Sequence, residues 1–136
     1  MKQLTIRKEF WEQICAHVNA SLPEEACGLL AGIDEHVVEI YTVPNMLHSP
    51  IKYRMDPEDQ LRAFLEIERD GMELIGIFHS HPAGPAHPSE TDIAEAYYPD
   101  SAYVIVSPGN GYWIAHGYLI DSLMVKEIPL NIIEDI

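Results

Sequence analysis

The chain has 136 residues, 47% hydrophobic and 22% charged, a composition typical of a globular domain rather than of a disordered or fibrous chain. Its formal net charge is −14, from 22 acidic and 8 basic side chains, which disfavours nucleic acid and anionic membranes as partners. No apolar run approaches the roughly 20 residues that span a bilayer, and the N-terminus lacks the apolar stretch of a signal peptide, so we expect one cytoplasmic domain over residues 1–136.

The first predicted element is an amphipathic helix over residues 5–23. Phe10, Ile14 and Val18 recur at four-residue spacing, so they line one face of a helix and predict that this face is buried. Pro23 has no backbone N–H and is expected to end the helix.

A β-hairpin is predicted next. Residues 27–33 form a short apolar run punctuated by glycine, which is typical of a buried strand, and residues 36–43 are predicted to be its partner. Asp34 and Glu35 separate the two runs and are predicted to form the turn. Residues 51–55 predict a further short strand.

A second helix is predicted over residues 56–71 from the signals at its two ends. Asp56 suits the N-cap, Pro57 suits the first helical position, and Gly71 suits the C-terminus. The apolar run that follows predicts a strand over residues 73–81.

The last part of the chain predicts a loop, a short helix and consecutive strands. Prolines stiffen the loop over residues 82–88, and a short helix is predicted over residues 89–97. Apolar runs separated by turn residues predict strands over residues 102–107, 111–120 and 123–130. This order of elements implies a mixed α/β domain with a central sheet and helices packed on it.

Two histidines at the end of the strand over residues 73–81 are candidate metal ligands. Successive strand side chains point to opposite faces, so His79 and His81 are expected to point the same way, and Ser80 away from them. Pro82 breaks the ladder and places the pair at a strand end, where sites are usually open. With Asp92 brought near by the stiff loop, two imidazoles and one carboxylate suit Zn²⁺ and leave a fourth position for water, as in a catalytic site.

Each of these residues also has a plainer interpretation. A His-x-His pair on its own is most often exposed or hydrogen-bonded in a core. Residues 89–92 fit a capping box at a helix start, and Ser89 is predicted to be the cap whatever else it does. His87 is expected to be a solvated loop residue rather than a fourth ligand. The other histidines have no partner pattern and are expected to be structural or exposed: His17, His36, His48 and His116.

The spacing of the site residues resembles a known motif. His79, His81, Ser89 and Asp92 fit H-x-H-x(7)-S-x-x-D, the JAMM motif of the MPN-plus metalloproteases, in its stand-alone prokaryotic type. In that family an upstream glutamate completes the site, in a segment similar to P-x-E-x-C-G-L-L-x-G. This chain reads PEEACGLLAG, in which Glu25 occupies the matching position and Glu24, one place off, is expected to be solvated.

The resemblance implies a fold and a mechanism. The fold would be a single mixed, curved β-sheet flanked by helices, in a layered architecture similar to that of deaminases. One Zn²⁺ per subunit would be held by His79, His81 and Asp92. Glu25 would take the proton of a water molecule and pass it to the leaving amine, and the Ser89 hydroxyl would donate to the developing oxyanion. The cap role and the oxyanion role of Ser89 are expected to compete for its proton, unless its backbone serves the helix.

The resemblance also implies a substrate class. Family members cleave after the Gly-Gly tail of ubiquitin or ubiquitin-like proteins, and the prokaryotic type is similar to enzymes that process sulfur-carrier proteins, one of which releases cysteine from the carrier. We therefore expect a zinc metallopeptidase that releases cysteine or a short peptide after Gly-Gly, with the tail added to a sheet edge beside the metal. Two alternatives stay open: an isopeptidase that removes a ubiquitin-like modifier from lysine, and a metal-free interaction scaffold, against which the intact ligand set argues. A zinc deaminase is disfavoured because the Pro-Cys-x-x-Cys half of its signature is absent.

Overall fold

A mixed β-sheet organises residues 1–134, which are the residues that the computed structural model describes. Within them the eight strands are β1 (Leu4–Arg7), β2 (Cys27–Ile33), β3 (His36–Val43), β4 (Glu73–Ser80), β5 (Ala102–Pro108), β6 (Trp113–Asp121), β7 (Met124–Ile128) and β8 (Leu130–Ile133). The three helices are α1 (Lys8–Ser21), α2 (Pro57–Arg69) and α3 (Glu90–Ala94).

The strands lie in the order β7-β6-β5-β4-β2-β3-β1-β8. Strand β4 is central, pairing antiparallel with β2 and parallel with β5, and β1 pairs in parallel with β3 and β8. Strand β6 also contacts β8, so the sheet curves round until its two ends approach each other. The predicted mixed, curved sheet with flanking helices is confirmed.

Alternate residues of β4 face two different hydrophobic layers. Phe78 packs in the layer that contains Ile14 and Val18 of α1, whereas Ile77 packs in the layer that contains Ala63 of α2. By the same alternation the next residue, His79, faces the α2 side. The end of β4 thus carries a polar side chain into the space beneath α2.

The predicted signals at both ends of α2 are confirmed. The Asp56 carboxylate accepts hydrogen bonds from the backbone N–H groups of Glu58 and Asp59, at 2.9 and 3.3 Å, and Pro57 is the first helical residue. Gly71 follows the helix with a φ of 69°, a conformation that favours glycine. The hairpin turn at residues 34–35 is confirmed as well, between β2 and β3.

The start of the first helix was predicted too early. Residues 4–7 form β1, because the N–H of Leu4 donates to the carbonyl of Pro129 and the N–H of Thr5 donates to the carbonyl of Glu35.

The predicted strand over residues 123–130 is also wrong in extent. Pro129 has no N–H, and the chain passes there from β7 at one edge of the sheet to β8 at the other.

Two further predictions were wrong in extent or type. Residues 51–55 form no strand but a single bridge between Met55 and Asn45, because the Asn45 side chain occupies backbone groups of this segment. Helix α3 ends at Ala94 rather than at residue 97.

None of the helices in residues 1–134 is long and apolar enough to cross a membrane.

Candidate metal centre

Three side-chain atoms converge where β4 ends. The Nε2 atoms of His79 and His81 lie 3.1 Å apart, and each lies 3.1 Å from Oδ2 of Asp92. The structure therefore brings together the three residues predicted to be ligands, and the prediction that the two histidines point the same way is confirmed. Ser80 points away, and its hydroxyl oxygen accepts a hydrogen bond from the N–H of Ala26.

Nε2 of His79, Nε2 of His81 and Oδ2 of Asp92 form a triangle whose geometry fits a tetrahedral metal site. Zn²⁺ with bonds of about 2.0–2.1 Å requires ligand atoms about 3.3 Å apart, close to the distances observed. The side chains of His79, His81 and Asp92 are only 1%, 7% and 11% exposed, so water does little to separate three lone-pair donors. When Nε2 of both imidazoles is deprotonated, the three atoms repel one another, and a cation between them would remove that repulsion.

The proline-rich loop orients one of the imidazoles. Nδ1 of His81 donates a hydrogen bond of 2.7 Å to the carbonyl of Pro85, which leaves the lone pair on Nε2 aimed at Asp92. The ring of His79 is held instead by stacking on Tyr53, with centroids 4.6 Å apart. Burial lowers the pKa of His79 and so favours the neutral imidazole that ligates metals.

Asp92 is positioned by the first turn of α3. Its Oδ2 accepts a hydrogen bond from the N–H of Ser89 at 2.9 Å, and its own N–H donates to the Ser89 hydroxyl oxygen at 3.0 Å, which confirms the predicted capping box. Burial acts to raise the pKa of Asp92, but hydrogen bonds with His79 and His81 outweigh it and hold the pKa well below its usual range. The carboxylate is thus kept ionised.

The expected competition for the Ser89 proton does not arise. In the capping box the hydroxyl oxygen of Ser89 accepts from the N–H of Asp92, so a lone pair makes the bond. The hydroxyl proton stays available to a second acceptor. Capping the helix and donating to a substrate oxygen are compatible.

Glu25 supplies a buried carboxylate next to the triangle. The residue is 3% exposed, and its Oε1 has no hydrogen-bond partner among the described residues. Burial raises the pKa of Glu25 to about 7. One oxygen of Glu25 and one nitrogen each of His79 and His81 lie within 4.8 Å of one another, which defines a looser alternative ligand set. The tighter spacing around Asp92 favours Asp92 as the ligand.

Glu24, the neighbouring acid, lies in a different environment. It is half-buried and its carboxylate lies 3.0 Å from Nδ1 of His48, whose side chain is exposed. Glu25 and Glu24 thus differ sharply in burial although they adjoin in sequence.

Asn45 holds the segment that carries Glu25, and sequence reasoning missed it. Its amide donates to the carbonyls of Glu25 and Lys52, at 3.1 and 2.9 Å, and its Oδ1 accepts from the N–H groups of Leu47 and Arg54. Asn45 is 8% exposed, so these bonds are shielded from water. No periodicity or motif in the sequence singles out this asparagine, because its partners are backbone groups far apart along the chain.

The remaining histidines lie apart from the triangle, as predicted. His87 is exposed in the loop before α3. Nε2 of His17 lies 3.1 Å from the carbonyl of Cys27, and its ring packs edge-on against Phe78. His36 and His48 are exposed, and His116 is half-buried in β6.

Within the described part of the chain, no sheet edge lies beside the site, contrary to expectation. Strand β4 is paired on both sides, by β2 and β5, and the outermost strands in the sheet order are β7 and β8. A substrate tail near the triangle would contact loops and α3 rather than extend the sheet.

Comparison with known proteins identifies the family. Residues 7–116 match the family described as prokaryotic homologs of the JAB domain, and the chain belongs to this family. It is 35% identical over 134 residues to the CysO-cysteine peptidase of Mycobacterium tuberculosis. The aligned region covers 96% of this chain and 92% of that protein. It is 42% identical over 94 residues to a probable TtuB-protein conjugate cleaving protease of Thermus thermophilus, covering 68% of this chain and 63% of that protein. The solution structure of a protein from Desulfitobacterium hafniense aligns with a TM-score of 0.86 at 35% identity, covering 98% and 94% of the two chains.

The role of Asn45 gives a prediction about stability. Asn45→Ala removes both donors and the acceptor and leaves one buried and three partly buried backbone groups without these bonds, so the free energy of unfolding should fall by about 2–4 kcal/mol. Urea denaturation measures this change. Asn110→Ala, at an exposed position, is the matched control and should change the free energy of unfolding by less than about 0.5 kcal/mol. Equal effects of the two substitutions would contradict the role given to Asn45.

Proposed function

We propose that the chain, acting as one domain over residues 1–136, is a zinc-dependent hydrolase that cleaves the amide bond after the Gly-Gly end of a ubiquitin-like or sulfur-carrier protein. The observation that carries this proposal is the convergence of His79, His81 and Asp92 within 3.1 Å beside Glu25, a buried residue whose Oε1 has no hydrogen-bond partner in residues 1–134. One Zn²⁺ per subunit fits this set of two nitrogens and one oxygen, which leaves a coordination position open. When bound, the metal supplies Lewis-acid polarisation of the substrate carbonyl and lowers the pKa of water.

Glu25 is the residue that moves the proton. Its pKa, raised to about 7 by burial, suits a group that accepts a proton and later returns it near neutral pH. The oxygen of water bonds to the acyl carbon, the C–N bond breaks, and the proton taken by Glu25 goes to the leaving nitrogen. Burial of Glu25 excludes bulk water from competing for that proton.

Ser89 stabilises the charge that develops on the acyl oxygen. Its hydroxyl proton is free because the capping bond uses the oxygen as acceptor. The same turn of α3 holds Ser89 and Asp92, so the donor keeps a fixed position relative to the metal ligands.

The named relatives support the substrate class. One is a peptidase named for a CysO-cysteine substrate, and another is named for cleaving TtuB-protein conjugates. We place release of cysteine or a short peptide from the C-terminus of a carrier first, and removal of a modifier from lysine second. The converging ligands disfavour the metal-free scaffold, since a scaffold needs no three lone-pair donors in contact.

The assignment of the base is tested by a pair of adjacent substitutions. Glu25→Gln should lower kcat by about 10²–10⁴-fold, because the amide keeps the shape of the side chain but cannot accept the proton. The measurement is hydrolysis of a ubiquitin-like protein extended beyond Gly-Gly, followed by mass spectrometry. Glu24→Gln is the control and should be close to neutral. Greater sensitivity at Glu24 would show that the upstream motif is misaligned by one residue.

Changing the residue that precedes the scissile bond tests the substrate class. The candidate ligands are nearly buried, so the acyl residue must approach through a recess that favours glycine over a branched side chain. Replacing the last glycine of the carrier by valine should lower kcat/KM by about 100-fold or more, without changing zinc content. Equal rates for Gly-Gly and Gly-Val tails would reject the ubiquitin-like substrate class and leave only the interpretation of a general metallopeptidase.

A further inference from the structure

A cavity of about 600 Å³ adjoins the candidate metal centre. One wall consists of Lys52, Tyr53 and Arg54, and α3 and the residue after it contribute Thr91 and Glu95. Tyr53 stacks on the ring of His79, and Thr91 directly precedes Asp92. The lining includes none of the candidate ligands themselves, so a group held in this cavity would lie one side chain away from the metal centre.

The cavity lining includes two basic residues, Lys52 and Arg54. The chain has only 8 basic side chains against 22 acidic ones. Several of the cations are paired with carboxylates, as Arg62 is with Asp59. Across residues 1–134, by contrast, Lys52 and Arg54 form no ion pair within 4.0 Å. Among the described residues, the cavity lining holds one acid, Glu95, against these two cations.

The backbone that bears these cations is fixed to the backbone of Glu25. Asn45 donates to the carbonyls of both Lys52 and Glu25, and it accepts from the N–H of Arg54. The N–H of Met46 also donates to the carbonyl of Arg54, at 2.8 Å. Both charged residues are exposed, so their side chains remain free to adjust to a ligand. The cations thus sit on a wall that is held in place relative to the base.

We propose that this cavity receives the leaving group and that Lys52 and Arg54 bind its free α-carboxylate. The inference rests on the proposed function and narrows it. In a carrier extended by one amino acid, only Cα separates the scissile nitrogen from a carboxylate. In a carrier joined to a lysine side chain, no carboxylate lies near the scissile nitrogen. Two cations beside the metal centre therefore select a C-terminal amino acid over a lysine conjugate.

Three substrates that differ only in the leaving group test this site. A ubiquitin-like protein ending in Gly-Gly is extended by alanine as the free acid, by alanine amide, or by Nα-acetyl-lysine amide attached through the side-chain nitrogen. With zinc-loaded wild-type protein, kcat/KM for the free acid should exceed that for the alanine amide by about 10- to 100-fold, mainly through KM. The lysine conjugate should be no better than the alanine amide.

The ratio of free acid to amide identifies the residues responsible. In the double variant Lys52→Gln, Arg54→Gln this ratio should fall to near unity. The control is Arg62→Gln with Arg69→Gln on α2, which removes the same charge away from the cavity and should keep the ratio. Equal kcat/KM for acid and amide in the wild type, a preference that persists in the double variant, or faster cleavage of the lysine conjugate would each overturn the proposal.

A binding measurement separates this site from the hydrolase activity. Calorimetry with Glu25→Gln compares a short Gly-Gly-Ala peptide with its C-terminal amide, and the free acid should bind about 10- to 100-fold more tightly. Tighter binding of the acid without turnover by the wild type would keep the carboxylate site and reject the proposed hydrolase. Turnover by the wild type with equal binding of acid and amide would keep the hydrolase and reject the carboxylate site.

Discussion

The convergence of three potential ligand atoms, held 3.1 Å apart at the end of a buried strand, is the constraint on which the rest of the structure depends. When both Nε2 atoms are deprotonated, the two imidazole nitrogens and the carboxylate oxygen repel one another, and they keep this arrangement only if their surroundings enforce it or a cation binds them. The fold enforces it from three directions. Alternation along β4 aims His79, the carbonyl of Pro85 turns the ring of His81, and the first turn of α3 fixes Asp92.

The three candidate metal ligands and the candidate base, Glu25, differ in how their side chains are held. His79, His81 and Asp92 are each anchored by a ring contact or hydrogen bond outside the triangle, whereas Oε1 of Glu25 is buried with no partner in residues 1–134. An unpartnered buried carboxylate is costly to fold, and its presence here is consistent with a group reserved for proton transfer. Asn45 ties the backbone of Glu25 to the backbone of Lys52, so the proposed base and the cavity proposed for the leaving group are positioned together.

Sequence reasoning predicted the parts of the site that depend on local geometry. The spacing of His79 and His81 follows from the strand repeat, and the placement of Asp92 follows from a capping box, both of which are short-range rules. Glu25 required resemblance to a family, because nothing in its own neighbourhood distinguishes it from Glu24. The mixed sheet was predictable from the order of elements, and both ends of α2 from their capping residues.

What the sequence could not predict depends on contacts between distant segments. Residues 4–7 continue a helical pattern, yet they form β1 because β3 and β8 supply hydrogen-bond partners there. Residues 51–55 have the composition of a strand, yet Asn45 takes their backbone groups. The absence of a sheet edge beside the site follows from the strand order, which no local pattern encodes.

The metal content of three proteins tests the central claim most directly. Elemental analysis should compare the wild type with Glu25→Gln and Asp92→Asn, the latter chosen because asparagine retains an oxygen that can accept the capping bond from Ser89. We predict about one zinc per chain in the wild type and in Glu25→Gln, and loss of zinc in Asp92→Asn. Retention of zinc by Asp92→Asn together with its loss from Glu25→Gln would contradict the account, because Glu25 would then be a metal ligand and the chain would need another base.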